Sequence, residues 1–278
     1  MPFPLLAHQA PVLPLKLWRP RLFSAVALCA GSIAPDFEYL RRPVRPGIGH
    51  SLLGQVVYCL PLSILITWLV ARFVGPALAS CLPRSARWRF DDLASLLNPF
   101  SGTRAFGVVA ASCLVGSFSH ILLDAFTHTG TWASRLFPVL RRLVPFFGTR
   151  IALALALQFT LSVVGAVVAL LLMGRLLARR QAATGLESPA LTGHRRTGGW
   201  LLMAATLVSM AVAVVSSRSF AKEPILYFQL GRLYVWGYVA FRASVAGFIG
   251  LTAAAIAVES RWAVRREGSP DKATRIAE

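Results

Sequence analysis

Ala105-Phe-Gly-Val-Val-Ala-Ala-Ser-Cys-Leu-Val-Gly-Ser-Phe-Ser-His-Ile-Leu-Leu-Asp-Ala-Phe-Thr-His128 is an apolar run that turns ionisable only in its last third. Through Phe126 it is long enough to cross a bilayer as a helix of about 20 residues. Side chains four apart stack on one face of such a helix. His120, Asp124 and His128 therefore share one stripe, which runs back through Gly116 and Ser112. Small residues let a neighbouring helix approach closely in a membrane, so the lower stripe should pack and the upper stripe should carry chemistry. His120 and Asp124 can reach one metal ion together, or simply hydrogen-bond each other; the stripe alone leaves both readings open. His120 lies 16 residues past Arg104, roughly 24 Å along the helix. That depth puts it toward the far edge of a ~30 Å hydrocarbon core.

Composition agrees with a chain that lives in a bilayer. Of its 278 residues 56% are hydrophobic and only 14% charged, against about a quarter charged in a soluble domain; mean hydropathy is +0.62. Ser51–Val74, Ile151–Met173, Trp200–Val215 and Trp236–Val258 are further apolar runs, the Trp200 run needing its flanks to span. The expected fold is all-α: a multi-pass membrane protein of about five transmembrane helices. The net charge of +18 comes from 29 Lys and Arg spread over every hydrophilic connection. That distribution suits anionic headgroups and orientation, and with no nucleic-acid module visible it argues against RNA or DNA as a partner. Cys29, Cys59, Cys81 and Cys113 form no close pair; they read as small core residues, with neither a disulfide framework nor a thiolate metal site.

The N-terminal stretch carries five prolines, Lys16, Arg19 and Arg21 before the apolar run Leu22–Ala34, which is 13 residues long. A basic start and a short apolar run resemble a signal peptide. Pro35 disfavours cleavage after Ser32-Ile33-Ala34, however, so an interfacial or re-entrant segment is the better expectation. Arg41–Gly49 reads as a loop from its Pro and Gly content, and His50-Ser51 opens the next span. Asp91 and Asp92 sit among arginines and read as a solvated face. Arg135–Arg150 reads as a basic loop, His194 as a solvated loop residue beside Arg195 and Arg196, and residues 261–278 as a disordered basic tail.

Ionisable residues at a membrane edge are costly and mark function by default. Antiparallel spans bring His50 to the same edge as His120. If Leu22–Ala34 does not cross, His8 and Asp36 join them, so His8, Asp36, His50, His120, Asp124 and His128 are the candidate metal ligands. Imidazole with carboxylate suits zinc, and also manganese or iron. This many ligands exceed one tetrahedral ion and suggest two. A carboxylate bridging two ions lowers the pKa of a bound water enough to make hydroxide near neutral pH. Each residue keeps a plainer alternative: Asp36 as a helix N-cap, His50 as an interfacial polar residue, His8 as an idle histidine. Glu38 and Glu223 read as solvated or supporting groups.

Met1-Pro2-Phe3…His8, Gly31-Ser32-Ile33-Ala34-Pro35-Asp36, His50-Ser51-Leu52-Leu53-Gly54 and Ser119-His120…Asp124…Thr127-His128 together resemble a bacterial family of multi-pass membrane proteins known only as a domain of unknown function. That family is similar to YdjM-like inner-membrane metal-dependent hydrolases. More remotely, the order of His8, Asp36, His50, His120 and Asp124 resembles the ligand order of zinc-dependent phospholipase C. The resemblance puts Asp124 in the bridging place, and His128 where a further histidine of a third metal site would begin. It implies no convincing match for the rest of that third site, so one or two ions are expected. It covers roughly residues 1–150; residues 151–260 add transmembrane helices.

The expected function is metal-dependent hydrolysis of a phosphoester in a lipid-derived substrate, with Asp124 and His120 carrying the chemistry. Arg41, Arg42, Arg45, Arg141 and Arg142 flank the site at headgroup depth and suit an anionic group. Membrane lipids are the expected partners. The alternative is a non-enzymatic multi-pass protein, a transporter or scaffold with a structural metal. Transport would ask for broken helices and a polar path at the midplane; the ionisable cluster lies at an edge instead. A slight excess of Lys and Arg opposite the site places the site on the extracytoplasmic face of the plasma membrane. Letting Leu22–Ala34 cross would strengthen that excess but strand His8 away from the other ligands.

Overall fold

Among the described residues five helices are long and apolar enough to cross a membrane: Leu52–Leu78, Thr103–Leu136, Leu153–Leu176, Gly198–Ser217 and Val235–Val258. They fall on the five apolar runs read from the sequence. The structure, a computed structural model, describes residues 4–40, 47–81, 101–184, 194–221 and 224–267. Expectations for Arg41, Arg42 and Arg45, for Asp91 and Asp92, for Glu223 and for residues 268–278 lie outside the described residues.

In chain order the helices are α1 (Pro4–Ala7), α2 (Leu13–Trp18), α3 (Ala25–Ile33), α4 (Leu52–Leu78), α5 (Thr103–Thr127), α6 (Trp132–Leu136), α7 (Leu153–Thr184), α8 (His194–Ala221) and α9 (Pro224–Glu267). His194, expected in a loop, instead opens α8, and α7 continues to Thr184. α9 likewise continues past Arg261 to Glu267, through the first part of the segment expected to be disordered.

The α3–α5 pair sets the site. The Ser24 amide donates to Ser112 Oγ at 2.9 Å, and His120 Nδ1 lies 2.7 Å from the Ser32 carbonyl, both pairs 88 residues apart in sequence. A constant offset means the two helices run parallel in one register. They meet at glycine: a Cβ on Gly31 would stand 2.1 Å from the Cys113 carbonyl oxygen, and one on Gly116 2.3 Å from that of Leu28. The small-residue stripe through Ser112 and Gly116 is the packing surface its composition predicts.

His8 lies beside His120, Ser24 beside Ser112, and Asp36 again beside His120. Residues 8–36 thus descend and return at one end of α5, turning at the depth of Ser112, roughly 12 Å from His120. Leu22–Ala34 belongs to a re-entrant hairpin. Lys16 Nζ fastens its turn by donating to the carbonyls of Pro20 (2.6 Å) and Phe23 (2.8 Å). α8 and α9 pair, burying Leu202 and Ala255 against Val74 and Ala77 of α4, while Phe241 of α9 packs with Tyr39.

The connection from α5 to α7, expected as a basic loop, carries a short hairpin instead. Leu143–Phe146 (β1) and Thr149–Ala152 (β2) form an antiparallel hairpin, Leu143 opposite Ala152 and Phe146 opposite Thr149. Its two-residue turn, Phe147-Gly148, has positive φ at both positions (44° and 79°), as hairpin turns that match strand twist require.

Candidate metal centre

Each ligand candidate is placed by a short, locally determined piece of structure. His120 and Asp124 lie one turn apart on α5. Asp36 sits in a 3₁₀ stretch, Ala34–Leu40, that continues α3 past Pro35. His50 ends a second 3₁₀ turn, Ile48–His50. The next residue caps α4: Ser51 Oγ accepts from the Gly54 amide at 3.0 Å. His8 follows α1, whose Ala7 lies against Gly165 of α7, where a Cβ would be 3.1 Å away.

Four of the six candidate ligands are buried, His120 being 0%, Asp36 1%, His8 8% and Asp124 9% exposed, while His50 and His128 are partly exposed. One ligand atom from each of Asp36, His50, His120 and Asp124 lies within 4.8 Å of the other three. Asp124 is the hub. Its Oδ2 faces His120 Nε2 at 3.4 Å and His50 Nε2 at 3.7 Å, while its Oδ1 faces His8 Nε2 at 3.7 Å and His128 Nδ1 at 3.6 Å. Asp36 Oδ1 closes the Oδ2 side, 3.5 Å from His120 Nε2. The His8 ring stacks on that of His120, centroids 4.0 Å apart.

These spacings discriminate between the two readings of the stripe. A charge-assisted N–H···O bond is about 2.7–2.9 Å long. Two ligand atoms on a tetrahedral ion with ~2.1 Å bonds are about 3.4 Å apart. The cluster's contacts sit at or just beyond the second value. Both Asp36 carboxylate oxygens, both His50 nitrogens, His120 Nε2 and His8 Nδ1 are buried without a hydrogen-bond partner. Each such atom costs about 1–3 kcal/mol if nothing satisfies it, and a metal cation suits carboxylate oxygens and imidazole lone pairs together. Asp36 is no N-cap, since neither oxygen accepts a backbone N–H.

Protonation follows the same pattern. Ser32 offers only a carbonyl, so His120 Nδ1 donates to it and Nε2 is the nitrogen turned toward the aspartates. A ring nitrogen held by a backbone carbonyl while the other faces the site is the usual arrangement of a metal-binding histidine. Burial, with His120 beside it, pushes the His8 imidazole down to about 3, so it is neutral. Burial lifts the Asp36 carboxyl to about 6, against the pull of His120.

Two residues outside the expected ligand set shape the site. Glu38, read as solvated or supporting, has a largely buried carboxylate that accepts the amides of Gly47, at 2.8 Å, and Gly49. Its Oε2 lies 3.5 Å from His50 Nδ1, so it both fastens the loop before His50 and faces the ring from behind. Gln158 of α7 lies beyond the region thought to bear on chemistry. Its amide nitrogen is 3.0 Å from His128 Nε2, while His128 Nδ1 is 3.2 Å from the Asp124 carbonyl. His128 is thus at the cluster with both nitrogens engaged. Beside it a cleft lined by His8, Asp124, Thr127, His128, Gln158 and Ser162 offers about 20 Å³ to the centre of a water molecule, room for about one water or ion.

Residues 1–261 match the profile of a protein family described as a domain of unknown function, DUF4184. No curated protein and no solved structure matches the chain.

Proposed function

We propose that this chain, which belongs to the DUF4184 family, is a membrane-embedded metal-dependent hydrolase that cleaves a phosphoester in a lipid-derived substrate. The observation that carries the reading is the division of Asp124, one carboxylate oxygen toward His50 and His120 and the other toward His8 and His128. That is the arrangement of a carboxylate shared by two ions. Asp36, His50, His120 and Asp124 would hold the first, His8 and Asp124 the second. His128 joins the second through Nδ1 once Gln158 turns its amide oxygen to Nε2–H. Zinc fits the donor set best and manganese also suits it; the order of the ligands supports a likeness to YdjM-like hydrolases and, more remotely, to zinc-dependent phospholipase C.

Two divalent ions, when bound, would supply Lewis acidity and activate water near neutral pH. The protein's part is to hold that chemistry in a dry site. His120 is fixed by Ser32 and His50 by the Glu38-fastened loop, so neither ring needs to reorient when substrate enters. The cleft beside Asp124, His8 and Gln158 admits a single water on the side of Asp124 Oδ1. With the site at the end of α5 and Arg141 and Arg142 exposed nearby in sequence, a phosphate at headgroup depth is the class of group that reaches it. The slight excess of Lys and Arg on the connections opposite the site favours the extracytoplasmic side of the plasma membrane. Hydrolysis of phosphodiester and lipid phosphate substrates is the test. Activity is expected to vanish on chelation, to return with zinc or manganese, and to be absent in His120→Ala; activity that survives both chelation and His120→Ala rules the mechanism out.

A further inference from the structure

The segment between α5 and α7 is built unlike a simple connection. Its inner side, Ala133 and Leu140, packs on Ala125 and Ala154, and Phe146 stacks on Phe159 of α7 with centroids 5.7 Å apart. Its outer side leaves Leu136 66%, Leu143 58% and Phe147 94% exposed. Phe147 is the telling residue. It holds a left-handed backbone (φ 44°) in the first turn position, where Asn, Asp or Gly is preferred. Its ring meets that of Phe146 edge-on, centroids 4.8 Å apart, yet stays almost wholly exposed, so burial does not explain an aromatic kept there. Strain retained for so little packing points to a contact outside the chain.

Charge says what that contact is. Arg141, Arg142 and Arg150 are exposed around the same hairpin, and from Ala125 through Arg175 the sequence contains no Asp or Glu. Among the described residues no carboxylate pairs with these arginines. Position adds a third constraint, since β2 ends at Ala152 and the span Leu153–Leu176 begins at the next residue. The hairpin therefore stands at the bilayer boundary with no spacer. Aromatic and apolar side chains between arginines at that depth are the pattern of an interfacial anchor.

We propose that the β1–β2 hairpin is a lipid-binding element, which lays Phe147 and Leu143 into the interface of the bilayer that the spans cross and holds anionic phospholipid headgroups on Arg141, Arg142 and Arg150. The element is mounted on the turns of α7 that carry Phe159 and Gln158, so a headgroup held there lies next to the helix that closes the metal cleft. The anchor itself does not depend on the hydrolase reading.

The test uses the full chain in a cysteine-free background, spin-labelled at Phe147→Cys and reconstituted into vesicles of phosphatidylcholine and phosphatidylglycerol. A label at Val164→Cys, on the exposed face of α7, gives the lipid reference. Power saturation is expected to show the label at 147 more accessible to oxygen than to a water-soluble nickel chelate, as at 164 but shallower. A label at 147 that the nickel chelate reaches freely, or that neither reagent reaches, overturns the anchor; the second result would mean a protein partner. For the headgroup part, Arg141→Gln with Arg142→Gln and Arg150→Gln is expected to lower the phosphatidylglycerol retained per purified chain at least threefold. Unchanged retention, with the label at 164 unaffected, overturns it.

Discussion

Gly116→Ala should disable the proposed metal centre from a distance, because a methyl group there forces apart the two helices that hold it. The added Cβ would stand 2.3 Å from the Leu28 carbonyl oxygen and 2.9 Å from the Ser32 amide, where ordinary contact begins at 3.4 Å. α3 must retreat by about 1 Å to relieve the shorter contact. The Ser32 carbonyl holds His120 Nδ1 at 2.7 Å, so a retreat of that size takes the bond beyond hydrogen-bonding distance. Asp36, carried by the continuation of α3, moves with it, whereas metal–ligand distances tolerate only about 0.2 Å. Overpacking of this kind costs about 1–3 kcal/mol, which corresponds to roughly 5- to 150-fold weaker binding if the strain is relieved by losing the ion. Gly107→Ala on the same helix is the control, since nothing lies within 4 Å of its Cβ. Competition with a chromophoric chelator in detergent measures both. A Gly116→Ala variant that binds metal as tightly as wild type, or a Gly107→Ala variant that loses as much, refutes the argument.

Glu38→Gln keeps the side chain's size but offers one acceptor oxygen where two amides are now served. Metal affinity is expected to fall about tenfold, in the range found when a ligand's supporting carboxylate is removed, with helix content by circular dichroism unchanged; wild-type affinity would show that Glu38 does not hold His50 in place. For orientation, a cysteine at Arg142 in a cysteine-free background should react with an impermeant reagent from outside intact cells, and one at Ala190 should not. The reverse pattern would put the site in the cytoplasm.

Much of this was legible in the sequence because helix periodicity and hydrophobic length are local properties. The five apolar runs fell on the five candidate spans, and the stripe from Ser112 to His128 correctly paired a packing half with an ionisable half. Leu22–Ala34 was readable as a segment too short to cross, and geometry shows why it need not: its far end is satisfied by Ser112, halfway along α5. The supporting residues were harder. Glu38 acts across a loop on Gly47 and Gly49, and nothing in a spacing of nine or eleven residues announces that contact; the signal present was a second acid two residues after Asp36. Gln158 could have been suspected as an amide inside a long apolar helix, where a polar side chain needs a partner. The hairpin was hidden by Pro145, which weakens a strand pattern, although Phe147-Gly148 between short β-branched segments is a turn signal.

The central claim is that one carboxylate, Asp124, organises two metal ions at the membrane edge. Metal content of detergent-purified protein, prepared with zinc or manganese present and then desalted, tests it most directly. Wild type is expected to hold close to two transition-metal ions per chain, and Asp124→Ala to lose most of both at once, because its two oxygens face the two halves of the cluster. Retention of wild-type metal content by Asp124→Ala, or a wild-type protein that carries no metal, would contradict it.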